Sequence, residues 1–183
     1  FSKTKEGGSI VTKAPETRAI WTNTNDSYTP HIPKEYGRSL KPDTITFDGY
    51  QETLWRWRDD FQNDFAARMD WSFMNFEEAN HPPVPKLTHP ETFTVKSGEG
   101  FFLDALKSTD PDGDNLSFLW FQYPEIGSYK KNIDLGADNV HIVNLTAPEV
   151  TKNETLHFIV KVSDKGTPLL SRYKRVIVTV VPK

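Results

Sequence analysis

Cysteine is absent from the 183 residues, which excludes disulfides, thiolate nucleophiles and cysteine-ligated metals. That absence leaves the compartment open. Long apolar runs are missing too: the mean hydropathy is −0.60, and no stretch approaches the roughly 20 apolar residues of a membrane-spanning helix. No excess of one charge sign stands out. Twenty-two Lys and Arg face 25 Asp and Glu, a net charge of −3, which gives no electrostatic ground for nucleic-acid binding. Gly-x-Ser-x-Gly, P-loop and Gly-x-Gly-x-x-Gly patterns are lacking, so acyl transfer and nucleotide-phosphate binding are without support. The five histidines, His31, His81, His89, His141 and His157, show no metal-ligand spacing; His157 reads as an outward strand residue and the others as loop residues. The chain begins at Phe1 rather than Met and no signal peptide opens it, so the expectation is a processed chain or part of a longer one. What the sequence does have is aromatics, 13% of all residues, with 12 Phe, 6 Tyr and 5 Trp. Disordered chains lack such groups.

The composition changes near His81. Residues 1–50 are rich in turn formers, with one strand-like patch at Ala19-Ile20-Trp21-Thr22 and a turn signal at Asp48-Gly49, and read as irregular chain. Residues 53–73 predict one long amphipathic helix. At 100° per residue, Leu54, Trp57, Phe61, Phe65 and Met69 share a face, opposite an arc with Asp59, Asp60, Asn63 and Asp64. That apolar face is expected to pack on a body of protein. The prolines of residues 81–86 then break the chain and predict a linker.

Beyond the linker the period changes to two. Leu116, Phe118 and Trp120 alternate, as do Leu156, Phe158, Val160 and Val162, then Val176, Val178 and Val180. Phe93-Thr94-Val95 and Phe101-Phe102-Leu103 are further strand candidates. Strands separated by turns over about a hundred residues predict an antiparallel β-sandwich with the alternating residues buried. Leu119, Phe121 and Tyr123 fall on the other face of the Trp120 strand. An apolar outer face needs a partner, and the candidates are the preceding helix region, a second protomer or a sugar stacked on the rings.

Leu54-Trp55-Arg56-Trp57-Arg58, continued by Phe61-Gln62-Asn63-Asp64-Phe65-Ala66-Ala67-Arg68-Met69-Asp70-Trp71, resembles a bacterial family labelled cellulose-binding protein. Glu16 to Asn23, Asp110-Pro111-Asp112-Gly113-Asp114, Trp120 to Tyr123 and Val162 to Pro168 fit the same family. Its members join a nucleoside-hydrolase-like α/β domain to a C-terminal sandwich. The resemblance implies that residues 1–80 are the tail of the hydrolase-like domain and that 87–183 form an immunoglobulin- or cadherin-like antiparallel β-sandwich. The clustered calcium-binding aspartates of true nucleoside hydrolases have no counterpart here. Catalytic residues would then lie upstream, and the chain by itself is expected to release no ribose from nucleosides. The full-length protein would be a nucleoside-hydrolase-like N-glycosidase or a glycoside hydrolase.

The function implied is an exported accessory segment, periplasmic or extracellular, that binds a polysaccharide or oligosaccharide. The rivals are a sandwich that braces the hydrolase-like domain and a piece of a nucleoside- or glycoside-active enzyme. Phe121, Tyr123, Tyr129 and Arg68 are the candidate ligand-binding residues. Asp110, Asp112 and Asp114, three carboxylates at alternate positions with Gly113 for the turn, are candidate calcium ligands, with Asp104 and Asp164 converging from neighbouring loops. The alternative is a turn in which Asp side chains cap backbone amides. Arg68 projects onto the apolar helix face, where an unpaired guanidinium is costly to bury. Asp64 stands one turn earlier, so the spacing predicts an Asp64–Arg68 pair stacked on Trp57 or Trp71.

Overall fold

The computed structural model describes residues 57–183 in full, together with the backbone of two short strands, β1 (Asp26–Tyr28) and β2 (Phe47–Gly49). These two pair antiparallel, Asp26 opposite Gly49. Asp48-Gly49 is therefore strand rather than turn, and the stretch expected to be irregular contains a small ladder. The patch at 19–22 and the helix positions before Trp57 lie outside the described residues.

The helix, α1, runs from Arg58 to Asp70, 13 residues. It is short, not long. Asp59 and Asp60 stand in its first turn and Arg68 in its last, each sign at the end where the helix dipole favours it. Trp71 closes it, its backbone N–H reaching the carbonyls of Ala67 and Met69, and turns replace the expected helix from there on.

Six strands follow. They are β3 (Thr92–Lys96), β4 (Gly100–Asp104), β5 (Ser117–Gln122), β6 (Ile142–Thr146), β7 (Glu154–Ser163) and β8 (Ser171–Val181). One sheet has the order β3-β8-β7-β5, and β4 pairs with β6 in a second. The two inner faces meet in one core of Val95, Leu103, Trp120, Val143, Leu145, Leu156, Phe158, Val160, Val162, Val176, Val178 and Val180. Each fully buried aliphatic side chain there is worth roughly 1.5–3 kcal/mol relative to exposure. Eight of the ten residues expected in that core are buried; Leu116 and Phe118 pack against its edge, half-buried. The ladders are antiparallel with one exception. β3 runs parallel to β8, Thr92 opposite Ile177, because no short connection joins these two strands and so none forces them antiparallel.

The proline-rich stretch is laced to the end of the sandwich. Pro83 is fully buried, and Val84 bridges Thr109. The Asn80 side-chain amide donates to Asp164 at 3.0 Å and to the Pro168 carbonyl at 2.8 Å.

Against expectation, α1 turns its apolar residues outward. Phe61, Phe65 and Met69 are 43%, 65% and 51% exposed, and Ala67 is the helix residue that is buried. Electrostatics accounts for the orientation. Lys161 and Tyr173 stand opposite each other on the outer face of β7 and β8, Arg172 follows Ser171 at the start of β8, and the carboxylates of α1 meet all three. Asp60 pairs with Lys161 at 2.7 Å and accepts the Tyr173 hydroxyl, while Asp64 pairs with Arg172 at 2.7 Å.

Candidate functional site

Three elements among the described residues build a concavity. Where α1 lies over β7 and β8, a groove of about 520 Å3 opens to solvent, lined by Trp57, Phe61, Ile159 and Tyr173 together with Asp60, Asp64, Arg68 and Arg172. Trp57 sits just before the helix and sets the aromatic wall. Its ring meets Tyr173 edge-on at 5.0 Å, and Phe121 and Tyr123 at 6.0 and 6.4 Å. The apolar outer face of β5 is thus covered from within the chain, by the residue that leads into the helix.

The polar side of the groove is a chain of opposite charges. Arg68 donates to Asp64 at 2.7 Å and its guanidinium lies 5.7 Å from the Trp71 ring, the pairing and stacking the helix spacing predicts. Arg172 donates both to Asp64 and to the Ser171 carbonyl. Burial pushes the Asp64 carboxyl upward, but the hydrogen bonds and charges of Arg68 and Arg172 outweigh it and hold Asp64 below the usual carboxylate range. The setting of Arg68 differs from expectation. Its side chain is 61% exposed, because the face it shares is turned to solvent, and an exposed pair of this kind is worth ~0.5 kcal/mol.

Of the four candidate ligand residues, Arg68 lines the groove, and Phe121 and Tyr123 back its wall through Trp57. Phe121 and Tyr123 are half-buried and inclined to the Trp57 ring by 38° and 57°, so these rings make no flat platform. Tyr129 stands apart, packed against the sandwich core. Sequence reasoning missed Tyr173 and Arg172. The available signal was the start of β8, Ser171-Arg172-Tyr173-Lys174-Arg175, whose crowd of cations around an aromatic ring precedes the regular valine alternation.

The acidic turn is a second centre. Asp110 accepts the backbone N–H groups of Asp112 and Asp114 on one oxygen, at 2.9 and 3.3 Å, while its other oxygen is buried without a partner. Asp112 is engaged by His81, through the backbone N–H at 2.6 Å and the ring Nδ1 at 2.9 Å. Desolvation and the neighbouring charges of Asp110, Asp164 and Asp112 push Asp114 above its ordinary value. The charge of Asp164 reaches Asp114, but its carboxylate is taken by Leu170, Gly166 and Asn80. Asp104 does not converge on the turn: it is held by Thr88, the Leu106 backbone N–H and His141. Among the described residues no group of three or more His, Cys, Asp or Glu is placed to hold a metal ion. The hydrogen bonds of the turn are those of aspartates capping backbone amides.

His157 points to the outer side of β7 yet is only 9% exposed. Gly127 lies over it so closely that a Cβ there would collide with the Thr155 carbonyl oxygen. Burial first, then the charges of Arg175 and Lys130, lowers its pKa.

Comparison with known proteins joins this geometry to a family. Residues 100–180 match the family model described as cellulose-binding protein Sde0182, C-terminal domain. A solved structure described as a nucleoside hydrolase-related hypothetical protein from Saccharophagus degradans, associated with carbohydrate metabolism, is similar at 34% identity and a TM-score of 0.65. The similarity covers 68% of this chain and 32% of that one, so the chain spans about a third of the length of that relative. The PKD domain from KIAA 1837 protein is similar at 20% identity and a TM-score of 0.42, over 55% of this chain and 89% of that domain. No curated protein sequence matches. The resemblance read from the sequence holds for the sandwich. Among the described residues no helix is long and apolar enough to cross a membrane.

Proposed function

We propose that this chain is the accessory part of an exported bacterial hydrolase-like protein and that it binds a cellulose-like polysaccharide. The observation that carries this reading is the match of residues 100–180 to the C-terminal domain of a cellulose-binding protein. The carbohydrate association printed for the Saccharophagus degradans relative supports it. The groove at the helix–sheet junction supplies what such a ligand uses, aromatic surface beside paired donors and acceptors. The test is co-sedimentation of the purified 183-residue chain with insoluble cellulose, xylan and chitin. Depletion of the protein from the supernatant by cellulose is expected. Full recovery in the supernatant with all three glycans would overturn the reading.

A second reading, that the sandwich braces a hydrolase-like domain, is favoured by a different observation. Phe61, Phe65, Met69, Phe73 and Phe76 form a succession of exposed large side chains along and just beyond α1, from 43% exposed at Phe61 to 73% at Phe73. Apolar surface of this kind marks an interface. The two readings are compatible, since small-molecule sites form preferentially at domain junctions.

Calcium belongs to this proposal as a stabiliser of the acidic turn. An ion near Asp114 would offset the desolvation and, after it, the repulsion from Asp110, Asp164 and Asp112 that together raise its pKa. Calcium at millimolar concentration is then expected to raise the melting temperature relative to chelator. Superimposable melting curves would leave the turn to its backbone hydrogen bonds alone.

A further inference from the structure

We propose that the groove between α1 and the β7–β8 face recognises an acidic polysaccharide, a cellulose-like backbone that carries carboxylate groups; this rests on the polysaccharide-binding reading above and names the substituent. The charges around the groove do not cancel. Asp60 is matched by Lys161 at 2.7 Å. Asp64 is shared: its Oδ2 takes Arg68 and its Oδ1 takes Arg172, each at 2.7 Å. One carboxylate thus faces two guanidinium groups, and among the described residues neither arginine reaches a second carboxylate. The cluster keeps one net positive charge. Asp64 is held below the usual carboxylate range, so this count holds at any pH where ordinary carboxylates are ionised. The surplus is local, since the whole chain carries −3, and at physiological salt it is felt over about 8 Å.

Arg68 is the group placed to use that surplus. Its Nε is spent on Asp64, while its two Nη groups make no hydrogen bond among the described residues, and the side chain is 61% exposed. A guanidinium meets a carboxylate through two parallel N–H···O bonds, a geometry that a neutral hydroxyl does not match. Arg172 is less available, because Nη1 donates to the Ser171 carbonyl and Nη2 to Asp64. It contributes charge rather than a second fork. The groove is open to solvent, so a bound carboxylate keeps part of its water and escapes the full desolvation cost of a buried ion pair. Trp57, Phe61 and Tyr173 line the same groove, and the apolar C–H face of a sugar ring packs on such aromatic surface. Ring and carboxylate are thereby recognised by different groups of one site.

The test is titration of the 183-residue chain with carboxymethylcellulose and with hydroxyethylcellulose, soluble polymers that share a glucan backbone and differ in the charge of the substituent. At low salt the wild type is expected to bind the carboxymethyl polymer at least ~5-fold more tightly, and ~0.5 M salt to reduce that preference to below ~2-fold. Arg68→Gln is expected to bring the two polymers to within ~2-fold of each other at low salt. Its melt, recorded alongside, should stay close to the wild type, because the side chain is largely exposed. Lys152→Gln is the control for bulk charge. It removes an equal charge from a side chain 79% exposed, just before the end of β7 remote from the groove, and is expected to keep the preference. Equal or tighter binding of hydroxyethylcellulose by the wild type would overturn the inference. So would an equal loss of preference in both variants, or a preference that Arg68→Gln leaves intact. Absence of binding to both polymers would overturn it too, and sedimentation with cellulose, xylan and chitin then decides separately whether the polysaccharide-binding reading stands.

Discussion

Asp164→Ala is expected to destabilise the chain by about 3 kcal/mol, with a loss in melting temperature near 10 °C. Asp164 is completely buried and fully used. One carboxylate oxygen accepts the backbone N–H groups of Leu170 at 2.8 Å and Gly166 at 3.1 Å, and the other accepts the Asn80 amide at 3.0 Å. The same residue donates its own backbone N–H to Leu170, so it closes the β7–β8 loop and ties that loop to the chain leading from α1. Alanine would leave the buried Leu170 N–H without a partner and release Asn80, whose carbonyl in turn receives the Trp71 indole N–H at 2.8 Å. Removing one buried negative charge relieves part of the pressure on Asp114. That gain is small, because Asp114 is only half-buried and solvent screens it. Urea or thermal unfolding monitored by tryptophan fluorescence measures the loss. A change below about 1 kcal/mol would show that the loop holds without its carboxylate. Asp164→Asn, which keeps an acceptor for the two backbone groups but opposes its amide to that of Asn80, should fall between the two.

The strands that were legible in the sequence are those whose one face is buried along several residues. β7 and β8 carry four and three inward positions in strict alternation, and their ladder spans Glu154↔Val180 to Ser163↔Ser171, so period two is visible without knowledge of the partner. β6 was not legible. Only Val143 and Leu145 of its five residues point into the core, too few for a period of two to stand out. Its identity as a strand depends on β4, with Leu103 opposite Val143, which is information about pairing and not about periodicity. The parallel placement of β3 beside β8 is of the same kind.

The groove illustrates a sharper limit. A helical projection establishes which residues of α1 share a face, and the pairing of Asp64 with Arg68 was legible from their spacing. It does not say which face meets the rest of the protein. That was decided by Lys161, Arg172 and Tyr173, about a hundred residues away in sequence, whose charges and hydroxyl capture Asp60 and Asp64. The apolar arc that a projection assigns to the interior is left outside. His157 shows the complementary case. Its side of the strand was read correctly, but the loop that covers it carries no periodic signal and is revealed by the close approach of Gly127.

The core tryptophan sets the upper end of the expected effects. Trp120→Ala is expected to cost about 4 kcal/mol, the middle of the range for deleting a buried aromatic side chain. That is a large fraction of the roughly 5–15 kcal/mol of a typical domain. Trp120 is completely buried between the two sheets, opposite Val160 in the β5–β7 ladder. Its indole N–H reaches the His141 carbonyl at 3.4 Å, a long bond that contributes little. Nearly all of the loss should therefore come from packing. Trp120→Phe tests that division: it deletes the indole N–H but keeps an aromatic ring, and should cost about 1–2 kcal/mol. Phe121→Ala, on the half-buried outer side of the same strand beside Trp57, should cost less than Trp120→Ala by at least ~1 kcal/mol. The order is measured by the urea midpoints of the three variants, with the slope of each transition checked against the wild type. A Phe121→Ala loss equal to or greater than that of Trp120→Ala would mean that the contact between Trp57 and the sandwich, and not the interior between the sheets, holds the larger share of the stability of this fold.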